Sequence, residues 1–139
     1  MEMTELVSTW SNCYRVKVAS VATRNNRVVC MGYNSAPVGV RTCTERGGCL
    51  RDKLKIPSGE NREKCYSTCA EQALICNAAL QGLSLKDCVV YCTHQPCVIC
   101  LKLLINSGVK RVIYKNEYAD EFSKEIAREA KFEMIKLSS

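Results

Sequence analysis

Two short cysteine motifs are the parts of this 139-residue chain best suited to chemistry. The first is Cys69-Ala70-Glu71, and the second is Pro96-Cys97-Val98-Ile99-Cys100. A Cys-x-x-Cys pair on the first turn of a helix presents two thiolates to one ion, and the helix N-terminus stabilises their negative charge. Cys69 can supply a third sulfur, which leaves the open fourth position of a catalytic zinc ion. Glu71 follows two residues later, within reach of a water molecule in that position.

Each motif alone is a weak signal, because Cys-x-x-Cys also occurs in redox dithiols and closed structural zinc sites. Neither alternative gives Glu71 a role. Together, at the starts of two helices separated by one strand, the motifs match zinc deaminases, in which a Glu that is not a ligand transfers the proton. The sequence therefore predicts a zinc site of Cys69, Cys97 and Cys100, with Glu71 as the catalytic acid and base.

The other cysteines fall into two groups. Eleven is an odd number, which argues for a reducing compartment rather than a disulfide scaffold. Thiols inside apolar segments are expected to be core residues, and these are Cys30, Cys76, Cys88 and Cys92. Thiols at turns are candidates for metal binding, and these are Cys43, Cys49 and Cys65. Cys13 fits either group.

Composition predicts a single domain, residues 1–139, in the cytoplasm. Apolar residues make up 47% of the chain, which is enough for one core. No stretch approaches the ~20 apolar residues of a membrane helix, and residues 1–11 lack the basic-then-apolar order of a signal peptide. The net charge is +6, and the positive excess lies in the N-terminal half. That excess favours an anionic ligand, although a solvated surface explains it equally well.

Hydrophobic periodicity predicts alternating helices and strands. Asn25-Asn26 marks a hairpin turn, and the later alternation of strands with helices implies parallel pairing with right-handed crossovers. Residues 34–68 lack periodicity, which is unusual in a compact domain unless the loop is functional or pinned. The expected helices are 4–11, 69–80, 97–107 and one around 122–130; the expected strands are 16–23, 27–33, 89–92, 109–114 and 132–137. The expected inward-facing residues are Leu6, Val7 and Trp10 in the first helix, and Phe122, Ile126 and Ala130 in the last.

Further stretches are typical of one enzyme superfamily. They are Gly32-Tyr33-Asn34, Cys43-Thr44-Glu45-Arg46-Gly47-Gly48-Cys49, Ile56-Pro57-Ser58-Gly59, Thr93-His94-Gln95 before the second motif, and Ile105-Asn106-Ser107-Gly108-Val109-Lys110-Arg111-Val112-Ile113-Tyr114. From about Cys13 to Tyr114 the chain resembles the cytidine and deoxycytidylate deaminase superfamily, and most closely its deoxycytidylate (dCMP) branch.

The resemblance implies an α/β fold of three layers, α-β-α, with a mixed five-stranded sheet begun by a β-hairpin and helices on both faces. It implies hydrolytic deamination of dCMP to dUMP in nucleotide metabolism, by zinc-activated water with Glu71 carrying protons. The Ala70 backbone is expected to contact the base and Asn34 the sugar, while the resemblance places Lys17 and Tyr114 near the nucleotide end of the pocket. The default alternatives are a solvated side chain for Lys17 and a core position at a strand end for Tyr114. A homo-oligomer, dimer or hexamer, is expected, with neither a membrane nor a nucleic acid as partner.

The chain departs from the dCMP branch at the metal site. That branch has His where this chain has Cys69, so the site resembles the three-cysteine site of cytidine deaminases. Three thiolates leave a zinc centre with a formal charge of −1, which weakens the acidity of its bound water. Three-cysteine members of the superfamily offset this charge with an Arg, but Gln72 occupies the corresponding position. The sequence does not identify a compensating residue.

Cys43, Cys49 and Cys65 match cysteines that some members of the branch use for a second, structural zinc ion. Such a site would order the irregular loop, because metal-binding energy is then folding energy. Cys13 and His94 are both candidates for the fourth ligand, and three ordinary loop cysteines are the alternative. His94 could equally contact substrate or make a structural hydrogen bond.

Two other functions remain open. Because Cys69 stands where the dCMP branch has His, a deaminase that acts on free nucleosides or on dCTP is one alternative. Editing of nucleic acids uses the same zinc chemistry, although few aromatic residues are evident for stacking bases. The sequence does not decide among these substrates.

Overall fold

A mixed sheet forms the centre of the computed structural model, which describes residues 1–138. Its strands are β1 (Ala19–Arg24), β2 (Arg27–Tyr33), β3 (Val89–His94), β4 (Arg111–Asn116) and β5 (Glu133–Lys136). They lie in the order β2-β1-β3-β4-β5. β1 pairs antiparallel with β2 and with β3, whereas β3, β4 and β5 are mutually parallel. The predicted mixed five-stranded sheet begun by a hairpin is confirmed.

The hairpin turns at Asn25 and Asn26, whose φ angles are 54° and 60°. Positive φ at both central positions matches the twist of a two-residue hairpin, and Asn tolerates this backbone better than most residues. β1 begins at Ala19 rather than at residue 16. The reason is that the Asn34 side chain bonds the backbone of Val16 and Val18, at 2.9 Å each, in place of strand pairing.

The helices in residues 1–138 are α1 (Glu2–Ser8), α2 (Cys43–Arg46), α3 (Leu50–Lys53), α4 (Ala70–Gln81), α5 (Val98–Asn106) and α6 (Glu121–Glu129). α4 ends at Gly82, which has the left-handed conformation that glycine favours at a helix C-terminus. α1 ends at Ser8, three residues earlier than predicted. The hydroxyls of Ser8 and Thr9 donate to the carbonyls of Glu5 and Leu6, and so satisfy the free carbonyls of its last turn.

The helices lie on both faces of the sheet, as predicted. α1 packs on one face against β1 and β3, while α4 packs on the other against β1 and β2. α5 lies beside α4, and α6 packs on α5 and β5. Alternation along β1 serves both faces, since Ala19 and Val21 contact the α1 side and Ala22 contacts the larger core beneath α4 and α5. In residues 1–138, no helix is long and apolar enough to cross a membrane.

Several side chains expected in the core are exposed. On α1, Val7 is buried but Leu6 is exposed, and Trp10 lies beyond the end of the helix and is also exposed. Cys76 is exposed on the outer face of α4, whereas Cys30, Cys88 and Cys92 are buried as expected.

The inner stripe of α6 is also shifted from its expected position. The buried residues are Ser123 and Ala127, while Phe122 and Ala130 are exposed and Ile126 is half-buried. The shift follows from a polar contact, since Ser123 Oγ accepts a hydrogen bond from Gln95 Nε2 at 2.9 Å. That bond turns the Ser123 side of the helix inward.

Gly32 on β2 lets α4 approach the sheet closely. A Cβ atom at position 32 would lie 2.4 Å from the Leu74 nitrogen and 2.6 Å from the Ala70 oxygen. Both are backbone atoms of α4, which cannot rotate out of the way. The missing side chain therefore sets the distance between the sheet and the helix that carries Glu71.

The loop between β2 and α4 is closed at its base and tied down by arginines. Thr68 N–H donates to the Ser35 carbonyl at 2.8 Å, which brings the two ends of the loop together. Arg15 bonds the Asp52 carboxylate at 2.6 Å, and Arg51 bonds the Glu60 carbonyl at 2.9 Å. The loop contains α2, α3 and a 3-10 turn at Arg62–Lys64, short elements that its lack of periodicity did not predict.

Candidate active site and metal centre

The three cysteines of the two motifs meet at one point. The Sγ atoms of Cys69, Cys97 and Cys100 all lie within 4.8 Å of one another. Among residues 1–138, this is the one group of His, Cys, Asp and Glu ligand atoms that meets this distance. We call these three residues the active-site cluster.

Two helix starts position the active-site cluster. Cys69 and Cys97 immediately precede α4 and α5 in extended conformation, and Cys100 lies on the first turn of α5. The Cys69 N–H is bonded by Gln72 Oε1 at 2.8 Å, so Gln72 caps the helix. Asp120 holds the start of α5, because its Oδ2 accepts from the Val98 N–H at 2.8 Å. Sulfur at these termini benefits from the positive ends of two helix dipoles.

Glu71 lies on the first turn of α4 and is only 4% exposed. Burial raises the pKa of its carboxyl to about 7, and the negative charge of Cys97 acts in the same direction. Hydrogen bonds from the thiols of Cys92 and Cys100 oppose this shift. A carboxyl whose pKa lies near neutrality can both accept and release a proton, which is what a general acid and base requires.

The donor set fits a zinc ion. The pKa of Cys97 is lowered, because the thiols of Cys100 and Cys69 donate hydrogen bonds to its sulfur. The pKa of Cys100 is raised, because its bonding with Cys69 and Cys97 and its burial favour the protonated thiol. The three sulfurs thus share protons at close range, and a thiophilic divalent ion would displace those protons on binding.

The active-site cluster opens into a cavity of about 570 Å³, within the size range of small-molecule sites. Glu71, Ala70 and Asn34 line this cavity together with the cluster. Its charged lining is mainly basic. The arginines are Arg15, Arg51 and Arg62, and the acidic residues are Glu63 and Glu71.

Residues 1–116 match the family described as the cytidine and deoxycytidylate deaminase zinc-binding region. The chain belongs to this family. The match includes both cysteine motifs and the whole loop between β2 and α4.

Curated relatives of this deaminase-family protein include enzymes named deoxycytidylate deaminase. That of Schizosaccharomyces pombe is 33% identical over 118 residues, which cover 85% of this chain and 36% of the yeast protein. That of Mycobacterium phage D29 is 33% identical over 111 residues, covering 77% of this chain and 84% of the phage protein. The chain therefore spans about a third of the yeast relative and most of the phage relative.

A solved structure of a relative shares the whole fold. The dCMP deaminase of cyanophage S-TIM5, crystallised in complex with dCMP and dUMP, superposes with a TM-score of 0.78 at 27% identity. The superposition covers 98% of this chain and 92% of the phage chain. The predicted cytidine-deaminase-like fold is confirmed.

The structure separates the four predicted substrate-binding residues into two pairs. Asn34 and Ala70 line the cavity beside the active-site cluster. Tyr114 is buried in the main core, because it lies on the same face of β4 as Val112. Lys17 is exposed on the segment before β1, and neither it nor Tyr114 is among the cavity-lining residues of the described chain.

The three loop cysteines also lie near one another, and Cys13 joins them. The pKa of Cys43 is raised, first by burial and then by the neighbouring Cys65, Cys13 and Cys49. The Ser67 N–H donates to Cys65 Sγ at 3.4 Å. We call Cys13, Cys43, Cys49 and Cys65 the loop cluster. It is looser than the active-site cluster, since no three of its sulfurs, all in the described part of the chain, lie within 4.8 Å of one another.

His94 and Arg62 complete the cavity lining near the active-site cluster. His94 Nδ1 is 3.0 Å from Thr93 Oγ1, and burial lowers the pKa of its ring. Arg62 Nη2 donates to Cys69 Sγ at 2.7 Å. Sequence reasoning missed Arg62, although it is the arginine nearest to Cys69 along the chain and three thiolates called for a cation.

Proposed function

We propose that this protein is a zinc-dependent deaminase that converts dCMP to dUMP, formed by one domain over residues 1–139. The observation that carries the proposal is the buried Glu71 carboxyl in the same cavity as three converging thiols. The cyanophage relative with this fold was crystallised with dCMP and dUMP, and the relatives of S. pombe and phage D29 are named deoxycytidylate deaminases.

Glu71 transfers the protons in this mechanism. Zinc held by the active-site cluster would supply the Lewis acidity that makes a water molecule nucleophilic at neutral pH. Glu71 accepts the proton from that water and delivers it to N3 of the cytosine ring. The water oxygen adds to C4, and Glu71 then takes the proton of the new C4 hydroxyl and passes it to the amine. The C4–N bond breaks, ammonia leaves and the C4 carbonyl forms, so one carboxyl acts as both base and acid. Its pKa of about 7 suits both steps.

Asn34 and Ala70 orient the nucleotide. The Asn34 amide bonds the Val16 carbonyl and the Val18 N–H, so its orientation is fixed before substrate binds. The Ala70 carbonyl accepts from Ser20 Oγ at 3.0 Å, which ties the start of α4 to β1. Both residues therefore belong to rigid surroundings, as positioning of the sugar and the base requires.

An anionic substrate fits the charge of the cavity. Three arginines line it against two acidic residues, and the raised pKa of Glu71 reduces the negative charge further. A 5′-phosphate bonded by an arginine would give about a tenfold to hundredfold higher kcat/KM than the free nucleoside for each charge-assisted hydrogen bond. Lys17, outside the cavity, is no longer needed for this preference.

The test is a deamination screen with zinc-loaded protein on dCMP, deoxycytidine, cytidine, dCTP and a cytosine-containing single-stranded oligonucleotide. We expect dCMP to have the highest kcat/KM, and Lys17→Ala to leave the ratio of dCMP to deoxycytidine unchanged. Equal turnover of deoxycytidine would make the protein a nucleoside deaminase. Turnover confined to the oligonucleotide would make it an editing enzyme.

We also propose that the loop cluster binds a second, structural zinc ion, with Cys13 as the fourth ligand. Cys13 is a neighbour of Cys43 and lines the same cavity as the other loop thiols, whereas no contact in the described chain places the second candidate, His94, beside Cys43. Four thiolates are a typical ligand set for a closed structural site. Metal analysis should give two zinc ions per chain in wild-type protein and one in Cys13→Ser. A wild-type stoichiometry of one would remove the second site.

A homo-oligomer in a reducing compartment such as the cytoplasm completes the proposal. α5 exposes Ile99 (55%) and Leu103 (41%), and Phe122 on α6 is 52% exposed. Ile99 also lines the cavity, so a second copy covering this face would adjoin the site. Sedimentation should show an oligomer that Leu103→Glu dissociates.

Both thiol clusters require free cysteines, and a reducing compartment maintains them.

A further inference from the structure

Arg62 is the residue that connects the loop to the active-site cluster. Its guanidinium donates to Cys69 Sγ at 2.7 Å from a half-buried position at the cavity wall. An arginine side chain is always charged in a protein, so a fixed cation lies beside the sulfurs.

Cys65 lies within the short segment that this contact spans. Arg62 begins the 3-10 turn, and the Cys65 N–H at the end of that turn donates to the Arg62 carbonyl at 3.1 Å. The Arg62–Cys69 hydrogen bond joins the two ends of residues 62–69, the segment that contains Cys65. Cys65 itself belongs to the loop cluster, beside Cys43. One short segment consequently touches both clusters.

The charge of the active-site cluster explains why this contact matters. Three thiolates around a divalent ion leave one net negative charge, and a partly buried negative charge is costly without a partner. Arg62 is the guanidinium that bonds one of these sulfurs in the described chain. Gln72, which follows Glu71, is neutral and is used in capping α4.

We propose that Arg62 couples the two clusters: metal bound by the loop cluster fixes Cys65, and the turn that begins at Arg62 then holds the guanidinium on the Cys69 sulfur. The active-site cluster binds zinc more tightly when the loop cluster is filled. By linkage, filling the active-site cluster tightens the loop cluster by the same factor. This coupling rests on the proposed zinc occupancy of both clusters.

The experiment measures the occupancy of each cluster separately. Metal-free, reduced protein is titrated with chelator-buffered zinc and pulsed with an alkylating reagent. Mass spectrometry then reads the protection of Cys97 and Cys100 for one cluster, and of Cys43 and Cys49 for the other. The proteins compared are wild type, Arg62→Ala, Arg62→Lys, Cys13→Ser and the double variant Cys13→Ser/Arg62→Ala. Lys64→Ala is the matched control, because Lys64 is exposed in the same turn and carries the same charge.

We expect Arg62→Ala to raise the free zinc needed for half-protection of Cys97 by about tenfold to a hundredfold, the value of one charge-assisted hydrogen bond. Lys64→Ala should match wild type, and Arg62→Lys should lie between wild type and Arg62→Ala. Cys13→Ser should raise the requirement in the wild-type background but add nothing in the Arg62→Ala background. That non-additivity is the signature of coupling through Arg62.

Three results would overturn the coupling. The first is wild-type affinity in Arg62→Ala, or in Arg62→Lys if the alanine variant does not fold. The second is an effect of Cys13→Ser that is equally large in both backgrounds. The third is a loop cluster that stays unprotected at zinc concentrations that fill the active-site cluster. None of these results bears on dCMP turnover, which the substrate screen tests separately.

Discussion

The two thiol clusters are held by different kinds of structure. The active-site cluster lies at the N-termini of α4 and α5, which pack on the sheet and on each other. In the loop cluster, Cys43 begins the four-residue α2, and the other three cysteines lie outside helices and strands. Arginines tie this region to backbone carbonyls and to one carboxylate. Packed helices thus position the sulfurs of the active-site cluster, whereas an irregular loop positions the sulfurs of the loop cluster.

Because of this difference, we expect the order of the loop cluster to depend on metal binding more than the order of the active-site cluster does. Helix packing places the active-site sulfurs within 4.8 Å of one another. The loop cluster is more open, so metal binding there has more chain to order. Changes at the active-site cluster should accordingly abolish deamination, and changes at the loop cluster should loosen the loop between β2 and α4.

The largest expected effect comes from Glu71→Gln. Because the buried carboxyl handles each proton transfer, kcat should fall by at least the ~10²–10⁴-fold typical of a lost general acid–base. Zinc content and thermal unfolding should stay close to wild type. Glu63→Gln is the control, since Glu63 lines the same cavity from the loop and is exposed. Comparable losses in both variants would refute the special role of Glu71.

The variant Gly32→Ala tests how closely α4, which carries Glu71, is packed against β2. The added methyl group would lie 2.4 Å from the Leu74 nitrogen, so α4 must move or the variant must unfold more easily. Overpacking of this kind costs ~1–3 kcal/mol, and backbone contact places this case at the upper end or beyond. Denaturant titration measures the change in free energy of unfolding. An unchanged value would show that α4 is not held against β2 as closely as described.

The loop cluster is tested by Cys49→Ser. Removing one of four thiols should lower the zinc content by one per chain and speed hydrogen exchange in residues 36–67. Exchange in α4 and α5 should change little. Cys76→Ser is the matched control, because Cys76 is exposed on α4 and outside both clusters. Full zinc content in Cys49→Ser would mean that Cys49 is not a ligand.

The smallest effect concerns pH and His94. Burial lowers the pKa of His94 from 6.5, so the folded protein binds a proton less readily than the unfolded chain. Stability is therefore unaffected well above pH 6.5 and falls as the pH drops through that value, where only the unfolded chain is protonated. His94→Gln should lose less unfolding free energy than wild type between pH 7.5 and 5.5. Parallel pH dependences in the two proteins would contradict the shift.

The sequence was sufficient for the fold and for the active-site cluster because strong local signals mark both. Gly82 and Pro96 bound α4 and α5, and the turn at Asn25-Asn26 defines the hairpin. The two motifs begin adjacent helices on one face of the sheet. Parallel crossovers bring such helix starts together, so Cys69 and Cys97 could be paired without coordinates.

Contacts between distant or irregular segments were not predictable in the same way. Arg62 lies in a loop with no periodicity, and only the folded turn shows that it reaches back to Cys69. Lys17 lies outside the cavity, whereas its neighbours Val16 and Val18, which Asn34 bonds, line it. Tyr114 was predictable, since it follows Val112 by two residues on a strand with alternating burial, and the default core role is the one that the structure shows.

Asp120 gives the protein an order of assembly. It caps α5 through the Val98 N–H and α6 through the Ser123 N–H, and its carbonyl accepts from the Gln95 side chain. During translation, the Cys97 and Cys100 thiols emerge from the ribosome before Asp120, the residue that secures their helix. Until then the nascent helix start lacks its cap, and its thiols are more open to oxidation or to the wrong metal. Zinc loading of the nascent chain should therefore begin only after residue 120 has emerged.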